Sequence, residues 1–354
     1  MSNEEELQAR MPRANNFDIL RLGLAWMVVF YHAAILSAAR QLAWIIPLID
    51  GTVAVQGFFT ISGCLIAMSF DQDGNFKRYL RRRAERILPA YYASTVFVIV
   101  LAGFLTQLHP LQFLASPETW KYLAANFVFL SHLHPALPGL FKQNPVMAVN
   151  GALWTIKLEV MFYLFIPVFF WLCKRLGRLP VTGALFVASL VYHEIVTRMG
   201  LPEYAKQLPG QLCFFMVGTA VYFYFPFFKK HRKWMWGVAI VGIALYLGTH
   251  FFVFRAVGVA LTTMNIGLLL PVFKGPTAYG DFSYGTYVLH YPLIQALVVL
   301  GVFASSPGLG MAVCIVAVVI LSTLSWNFVE KKFLRRKKIA RLTLRQPQES
   351  LDCA

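Results

Sequence analysis

The stretch FDILRLGLAWMVVFYHAAIL (residues 17–36) is an apolar segment of membrane-spanning length that contains two ionisable side chains, Arg21 and His32. Ionisable groups inside a membrane span are costly, and they usually remain there because they have a function. At about 3.6 residues per turn, the spacing from Arg21 to His32 returns to nearly the same helix face, within about 20°. We therefore expect both side chains to lie on one polar stripe, about 16 Å apart along the helix axis.

The rest of the chain has the composition of a membrane protein. Of its 354 residues, 58% are hydrophobic and 14% are charged, whereas a soluble domain has a charged fraction of about 25%. Mean hydropathy is +0.60. Apolar windows close to the roughly 20 residues that a spanning helix needs predict an all-α polytopic protein with about ten transmembrane helices. The predicted spans are residues 17–38, 52–70, 87–107, 150–173, 179–198, 209–226, 233–250, 254–272, 283–303 and 309–328.

The distribution of basic residues predicts how these helices are oriented. With a cytoplasmic N-terminus, 24 of the 32 lysines and arginines fall in inner segments and six fall in outer segments, as the positive-inside rule requires. An even number of spans then places both termini in the cytoplasm. The opening MSNEEELQAR is acidic and lacks the basic region of a signal peptide, so we expect the first helix to be retained.

The spans divide the chain into three parts. Residues 1–16 are predicted to be a cytoplasmic segment, residues 17–330 a membrane domain, and residues 331–354 a basic cytoplasmic tail. The net charge of +16 is spread over the inner segments, and contact with an anionic inner leaflet explains it better than nucleic-acid binding. The long outer loop at residues 108–149 has an apolar middle too short to cross a bilayer, and we expect it to cover or line an outward-facing pocket.

We expect no structural disulfide and no metal site. The cysteines show no paired spacing and fall mostly in or at the ends of spans; they are Cys64, Cys173, Cys213, Cys314 and Cys353. The outer-loop histidines His109, His132 and His134 have no carboxylate or thiolate beside them at ligand spacing.

The first helix allows two interpretations. In the functional one, His32 exchanges protons near neutral pH and acts as a general base, while Arg21 holds a phosphate or carboxylate through forked hydrogen bonds. In the structural one, the arginine extends to the membrane surface and the histidine is hydrogen-bonded to another helix.

Two further segments combine small or basic residues with apolar helices. GFFTISGCLIAM (residues 57–68) carries small residues, including Ser62, that allow close helix packing. FKRYLRRRAERILPAYY (residues 76–92) places four arginines at the start of a span: Arg81, Arg82, Arg83 and Arg86. They could anchor the helix at the inner surface, or form a binding site for phosphates presented from the cytoplasm.

Two later segments carry further ionisable groups. In NGALWTIKLEVMFYL (residues 150–164), Lys157 and Glu159 point about 200° apart on a helix, so each should find its own partner or face water. Glu159 could orient a catalytic histidine, bind substrate hydroxyls, or make a structural hydrogen bond. In SYGTYVLHYPL (residues 283–293), His290 could be a second active-site group, or could be hydrogen-bonded to Tyr284 and Tyr287 or to a neighbouring helix.

Taken in order, these segments resemble the acyltransferase-3 family, membrane enzymes that move acyl groups, commonly acetyl, onto carbohydrate hydroxyls. The resemblance extends from Phe17 to about Phe333. Its first element is an arginine and a histidine separated by ten residues, here Arg21 and His32. The others are GFFTISG (57–63), RAERILP (83–89), LWTIKLEVMFYL (153–164) and SYGTYVLHYPL (283–293). Many members have a small polar residue at the position of Lys157.

The resemblance implies roles for individual residues. Acyl-coenzyme A would arrive from the cytoplasm, where Arg21, Arg83 and Arg86 would meet its phosphates or pantetheine arm. His32 would be the essential histidine, either as a base or as a transient acyl carrier, with Glu159 as a further catalytic candidate. The candidate substrate-binding residues are Ser62, Trp154, Tyr287 and His290.

We therefore predict a membrane O-acyltransferase, in the first instance an O-acetyltransferase, that acts on a surface or exported carbohydrate. No tightly bound cofactor is expected, acyl-coenzyme A is the donor substrate, and glycan-synthesis proteins are candidate partners. A bacterial cytoplasmic (inner) membrane follows from the family. Two rival hypotheses are a secondary transporter with an Arg/His site at the midplane, and a non-catalytic partner in a glycan-synthesis complex.

Overall fold

The computed structural model describes residues 11–12, 14–273 and 275–334. Within these residues the chain is helical and contains no β-strand, which confirms the predicted all-α class. Most of the predicted N-terminal segment (1–16) and of the basic tail (331–354), including Cys353, lies outside the described residues.

Ten helices of 16 residues or more follow one another in the described part of the chain. They are α1 (Phe17–Ser37), α2 (Gly51–Asp73), α3 (Phe76–Leu105), α4 (Trp154–Leu176), α5 (Arg178–Arg198), α6 (Leu208–Phe223), α7 (Arg232–Thr249), α8 (Phe252–Leu269), α9 (Ser283–Val299) and α10 (Pro307–Leu324). A π-helical turn, Ser325–Glu330, continues α10. Shorter helices are identified below by their residues.

Seven of these helices are long and apolar enough to cross a bilayer: α1 to α5, α8, and α10 with its continuation. This is the composition of an integral membrane protein. The other three predicted spans correspond to α6, α7 and α9, with 16, 18 and 17 residues. Whether these three also cross, and which way the termini face, remains a prediction.

Helix α3 begins earlier than the hydropathy pattern predicts. The predicted span starts at residue 87, but the helix starts at Phe76, because Asn75 caps it by accepting the N–H of Arg78 at 2.9 Å. Arginine is also a good helix former. The four arginines that precede the predicted span therefore lie on the first turns of α3.

Helix α1 packs against both α2 and α9, and the contact between α2 and α6 is the most extensive helix pair in the bundle. That contact depends on small residues. A Cβ on Gly63 would lie 2.0 Å from the carbonyl oxygen of Phe215, and a Cβ on Gly218 would lie 2.0 Å from that of Thr60. The predicted close approach at residues 57–68 is thus confirmed at Gly63.

The outer loop at residues 108–149 contains two short helices, Pro110–Ala115 and Pro117–Phe127, and a 3₁₀ turn, Ser131–Leu133. After them the chain runs without regular helix to α4, which begins at Trp154 rather than at residue 150.

The end of this loop is fastened to α9. The Asn144 amide donates to Oε1 of Gln295 at 2.6 Å, and Nε2 of Gln295 donates to the carbonyls of Val146 and Ala148 at 2.6 and 2.7 Å. Gln295 is fully buried. The loop is therefore held close to the part of α9 that carries His290.

Candidate active site

A wide basic cavity opens beside the beginnings of α1 and α3. It has a volume of about 610 Å³, and its described wall includes five arginines and one carboxylate: Arg21, Arg78, Arg82, Arg83, Arg86 and Asp73. Asp73 pairs with Arg78 at 3.1 Å and with Arg82. Asp18 and Asp281 pair with Arg21 and Arg86 of the same wall. Three carboxylates offset only part of the charge of five arginines, so the cavity suits an anion.

Arg21 and Arg86 are held together by Asp281, which lies just before α9. Oδ2 of Asp281 accepts from Nη2 of Arg21 at 3.2 Å and from Nη2 of Arg86 at 2.6 Å. Its Oδ1 accepts from the Ser283 hydroxyl at 2.5 Å. Burial alone would raise the pKa of the Asp281 carboxyl, but the two guanidinium groups hold that pKa well below its usual range.

The remaining arginines of the predicted cluster have different surroundings. Arg83 lies between two aromatic rings, with its guanidinium carbon 5.8 Å from the ring centres of Tyr79 and Tyr163. Arg81 is exposed and pairs with Glu85 at 2.9 Å. The structure thus brings Arg21, Arg83 and Arg86 to the basic cavity, whereas Arg81 contributes to the surface.

A narrow space of about 70 Å³, here called the passage, adjoins the basic cavity. Arg21 and Arg86 line both spaces. The passage wall is largely aromatic and apolar, and includes Phe58, Phe59 and Ile156 together with Ser62. Ser62, a candidate substrate-binding residue, therefore lies beside the passage.

Glu159 also lines this passage, and it accepts a hydrogen bond from the Tyr163 hydroxyl at 2.5 Å. Lys157 instead donates to Oε1 of Gln207 at 2.7 Å. The expectation that these two charged residues find separate partners is confirmed. Among the described residues, Glu159 hydrogen-bonds to Tyr163 and His32 to His290, so the structure does not place Glu159 as the group that orients His32.

A second wide space, the histidine cavity, lies beyond the passage. Its volume is also about 610 Å³, and its wall includes His32, Trp154, Lys157 and Tyr287. Tyr287 lines both the passage and the histidine cavity. Outer-loop residues 131, 132 and 135 and residues 150–152 complete one side, so the loop lines a pocket as the sequence predicts.

The rim of the histidine cavity is polar. Lys206 and Glu203 line it and pair with one another at 2.6 Å. His132 lies there too, and burial together with the nearby Lys157 ammonium lowers the pKa of its imidazole. Apolar walls with convergent polar groups are the usual make-up of a small-molecule site.

His32 is in direct contact with His290. Nδ1 of His32 lies 2.8 Å from Nε2 of His290, and the fully buried His290 places its own Nδ1 2.7 Å from the carbonyl oxygen of Tyr287. The Tyr291 and His32 rings pack in a T-shaped arrangement, with 5.0 Å between the ring centres. Of the hydrogen-bond partners predicted for His290, the structure shows a neighbouring helix, through His32 of α1. Its contact with Tyr287 is to the backbone carbonyl and not to the side chain.

Two features of this site were missed by sequence reasoning. Asp281 precedes the SYGTYVLHYPL segment by two residues, and an acidic residue there could have been considered as a partner for the arginines. The contact between His32 and His290 joins residues 258 positions apart. Nothing in local periodicity indicates such a pairing.

The chain matches the sequence model of a known family, described as an acyltransferase domain, over residues 15–327. It is also similar to the O-acetyl transferase of Shigella phage Sf6, with 27% identity over 97% of this chain and 100% of the phage protein. The Nodulation protein 10 of Rhizobium leguminosarum bv. viciae is 24% identical, over 91% of this chain and 93% of that protein.

A longer relative is the Peptidoglycan O-acetyltransferase OatA of Listeria monocytogenes, with 24% identity over 79% of this chain and 51% of the relative. The chain therefore spans about half the length of that protein. No solved structure gives a significant match to this chain.

Proposed function

This chain belongs to the acyltransferase-3 family and is a membrane acyltransferase, and from that premise we propose that it is an O-acetyltransferase that acts on a carbohydrate. The acetyl or other short acyl group comes from coenzyme A and is transferred to a hydroxyl of a surface or exported glycan. The names of the phage and Listeria relatives, an O-acetyl transferase and a peptidoglycan O-acetyltransferase, support this choice of reaction and acceptor class.

The basic cavity is the proposed binding site for the phosphates of acyl-coenzyme A. Arg21, Arg83 and Arg86 line it, and guanidinium groups bind phosphate oxygens through paired, charge-assisted hydrogen bonds. Nε of Arg21 and Nε of Arg83 are buried, and neither has a hydrogen-bond partner among the described residues. Contacts within the described protein therefore leave one N–H of each guanidinium group unsatisfied.

The wall residues that the three spaces share are the observation that carries the proposal. The basic cavity and the passage share Arg21 and Arg86, and the passage and the histidine cavity share Val55 and Tyr287. A slender thioester arm anchored by its phosphates in the basic cavity would reach His32 along this route. The polar stripe inferred from the spacing of Arg21 and His32 follows the same path.

His32 is the proposed base. Its imidazole takes the proton of the acceptor hydroxyl, and the hydroxyl oxygen attacks the thioester carbonyl carbon. A new C–O bond forms, the C–S bond breaks, and the departing thiolate takes the proton from the imidazolium. The products are an O-acyl sugar and coenzyme A with a free thiol.

The histidine cavity is the proposed acceptor site. Trp154 offers an aromatic face on which a sugar ring can stack, and Lys157, Gln207 and Asn150 offer hydrogen-bonding groups. Sugars have both an apolar ring face and many hydroxyls, so a site of mixed character suits them. We place the protein in a bacterial cytoplasmic membrane, where it would work beside glycan-synthesis proteins.

The test is to measure the acyl content of surface glycans by mass spectrometry in cells that produce Arg21→Ala or His32→Ala. Both variants should lose acylation at normal protein levels. Arg198→Ala and His134→Ala are the matched controls, because Arg198 pairs with Glu194 at the surface and His134 is an exposed loop residue. Unchanged acylation in the first two variants would remove these residues from the mechanism.

A further inference from the structure

A chain of three groups runs from the backbone of α9 to the histidine cavity. The carbonyl of Tyr287 lies 2.7 Å from Nδ1 of His290, and Nε2 of His290 lies 2.8 Å from Nδ1 of His32. The carbonyl of Thr286 is also near Nδ1 of His290, at 3.2 Å. His290 is 0% exposed, whereas His32 is partly exposed and lines the cavity.

The proton positions in this chain follow from the chemistry of its members. A carbonyl oxygen can only accept, so Nδ1 of His290 must carry a proton and donate to Tyr287. In a neutral imidazole the other nitrogen is then an acceptor. Nε2 of His290 therefore accepts, and the proton between the two rings belongs to Nδ1 of His32.

A doubly protonated His290 does not fit this environment. It would be a fully buried cation, and the described residues place no carboxylate in hydrogen-bond contact with it, because its polar contacts are His32 and two backbone carbonyls. It would also direct an N–H at His32, which would force the lone pair of His32 towards His290. The neutral form satisfies every contact.

We propose that His290 is a positioning residue that fixes the tautomer of His32, so that the unprotonated Nε2 of His32 is the atom presented to the acceptor hydroxyl. This inference rests on the proposed function for its catalytic consequence, although the tautomer itself is a property of the resting protein. The backbone carbonyl of Tyr287 has the role that a carboxylate has in other catalytic arrangements: it sets the direction of the hydrogen bonds without titrating.

The kinetic test compares His290→Leu, which removes the acceptor atom at similar size, with His290→Gln, whose side-chain oxygen can still accept from His32. Acetyl transfer is measured in membranes from the producing cells, with labelled acetyl-coenzyme A as the donor. Loss of the correct tautomer should lower kcat for H290L by a factor on the order of 100, with little change in KM for the donor. The kcat of H290Q should be at least tenfold higher than that of H290L.

Tyr291→Phe is the matched control, because Tyr291 contacts the same ring of His32 without a hydrogen bond to it. It should stay within about twofold of the parent rate. A rate for H290L equal to that of the parent would overturn the proposal. So would equal losses in folded H290L and H290Q, because the acceptor atom would then not be what matters.

The direct test is ¹⁵N NMR of the parent protein labelled at its eight histidines, with the signals of residues 32 and 290 assigned from the two single His→Gln variants. The expected spectrum has His32 protonated at Nδ1 and unprotonated at Nε2. Protonation at Nε2 with a bare Nδ1 would overturn the proposal, whatever the activity of any variant. A parent protein that transfers no acetyl group would contradict the proposed function and leave this measurement valid.

Discussion

Asp281 should be the single charge beside the basic cavity whose loss costs the most stability. Its side chain is 14% exposed, and one oxygen accepts from both Arg21 and Arg86. Asp281→Asn keeps the size of the side chain, replaces one acceptor oxygen by an NH₂ donor, and removes the negative charge that keeps two guanidinium groups together. The expected result is a large loss of stability, since Arg86 would lose its carboxylate partner and Arg21 would keep only the exposed Asp18.

The size of this loss can be worked from the two distances. At 3.2 and 2.6 Å, and with an effective dielectric constant of about 20, the attractions amount to about 5 and about 6 kcal/mol before desolvation is subtracted. Desolvation of three charges cancels much of this sum. Removing one partner of a buried pair typically costs about 3–5 kcal/mol, and we expect D281N to lose about 3 kcal/mol. At roughly 2 °C per kcal/mol in a chain of this size, Tm should fall by about 6 °C.

The assay is thermal unfolding in detergent, followed with a thiol-reactive fluorescent dye. It suits this protein because four free, buried cysteines become reactive on unfolding: Cys64, Cys173, Cys213 and Cys314. The matched control is Glu194→Gln, which neutralises the carboxylate of an exposed pair with Arg198 and should cost no more than about 0.5 kcal/mol. Equal melting temperatures for D281N and the parent would refute the assigned role of Asp281.

Three further predictions concern pH, helix packing and the passage. Burial would raise the pKa of Asp281, but Arg21 and Arg86 hold that pKa well below its usual range. The contribution of Asp281 to stability is therefore complete above the unfolded pKa of about 4 and is lost as pH falls further. The melting temperature of D281N should accordingly fall less in acid than that of the parent. Gly63→Ala should abolish folded protein, because the new Cβ would lie 2.0 Å from a backbone oxygen. Gly23→Ala should fold normally in the same expression and melting assay, because no atom of another described segment lies within 4 Å of its new Cβ. Ser62→Phe puts a ring into a passage of about 70 Å³ and should slow labelled acetyl transfer at least tenfold, and parent-like rates would show that the donor takes another route.

Much of the framework follows from the sequence because it depends on local periodicity. Apolar windows place most of the spanning helices, and the helical repeat places Arg21 and His32 on one side of α1. Hydropathy fails at the start of α3, where it scores arginines as a loop although arginine favours helix and Asn75 provides the cap. Hydropathy measures how readily a segment enters the apolar part of the membrane, which is a different property from its tendency to form a helix.

The parts of the site that the sequence does not predict depend on contacts between distant segments. Asp281 meets Arg86 across 195 residues, and His290 meets His32 across 258. Each of these side chains has several partners that would satisfy it equally well. Only the packing of α9 against α1 and α3 selects among them.

The narrow passage between two wide cavities answers two physical demands on a protein that works across a membrane. Two spaces of about 610 Å³ joined without a constriction would let water and ions cross the bundle, but about 70 Å³ holds only a few water molecules. In the proposed mechanism the aromatic wall, with the Phe58 ring 5.6 Å from that of Tyr287, would also limit the water that reaches a thioester near His32. In this scheme the same constriction preserves the membrane barrier and favours a sugar hydroxyl over water as the group that receives the acyl chain.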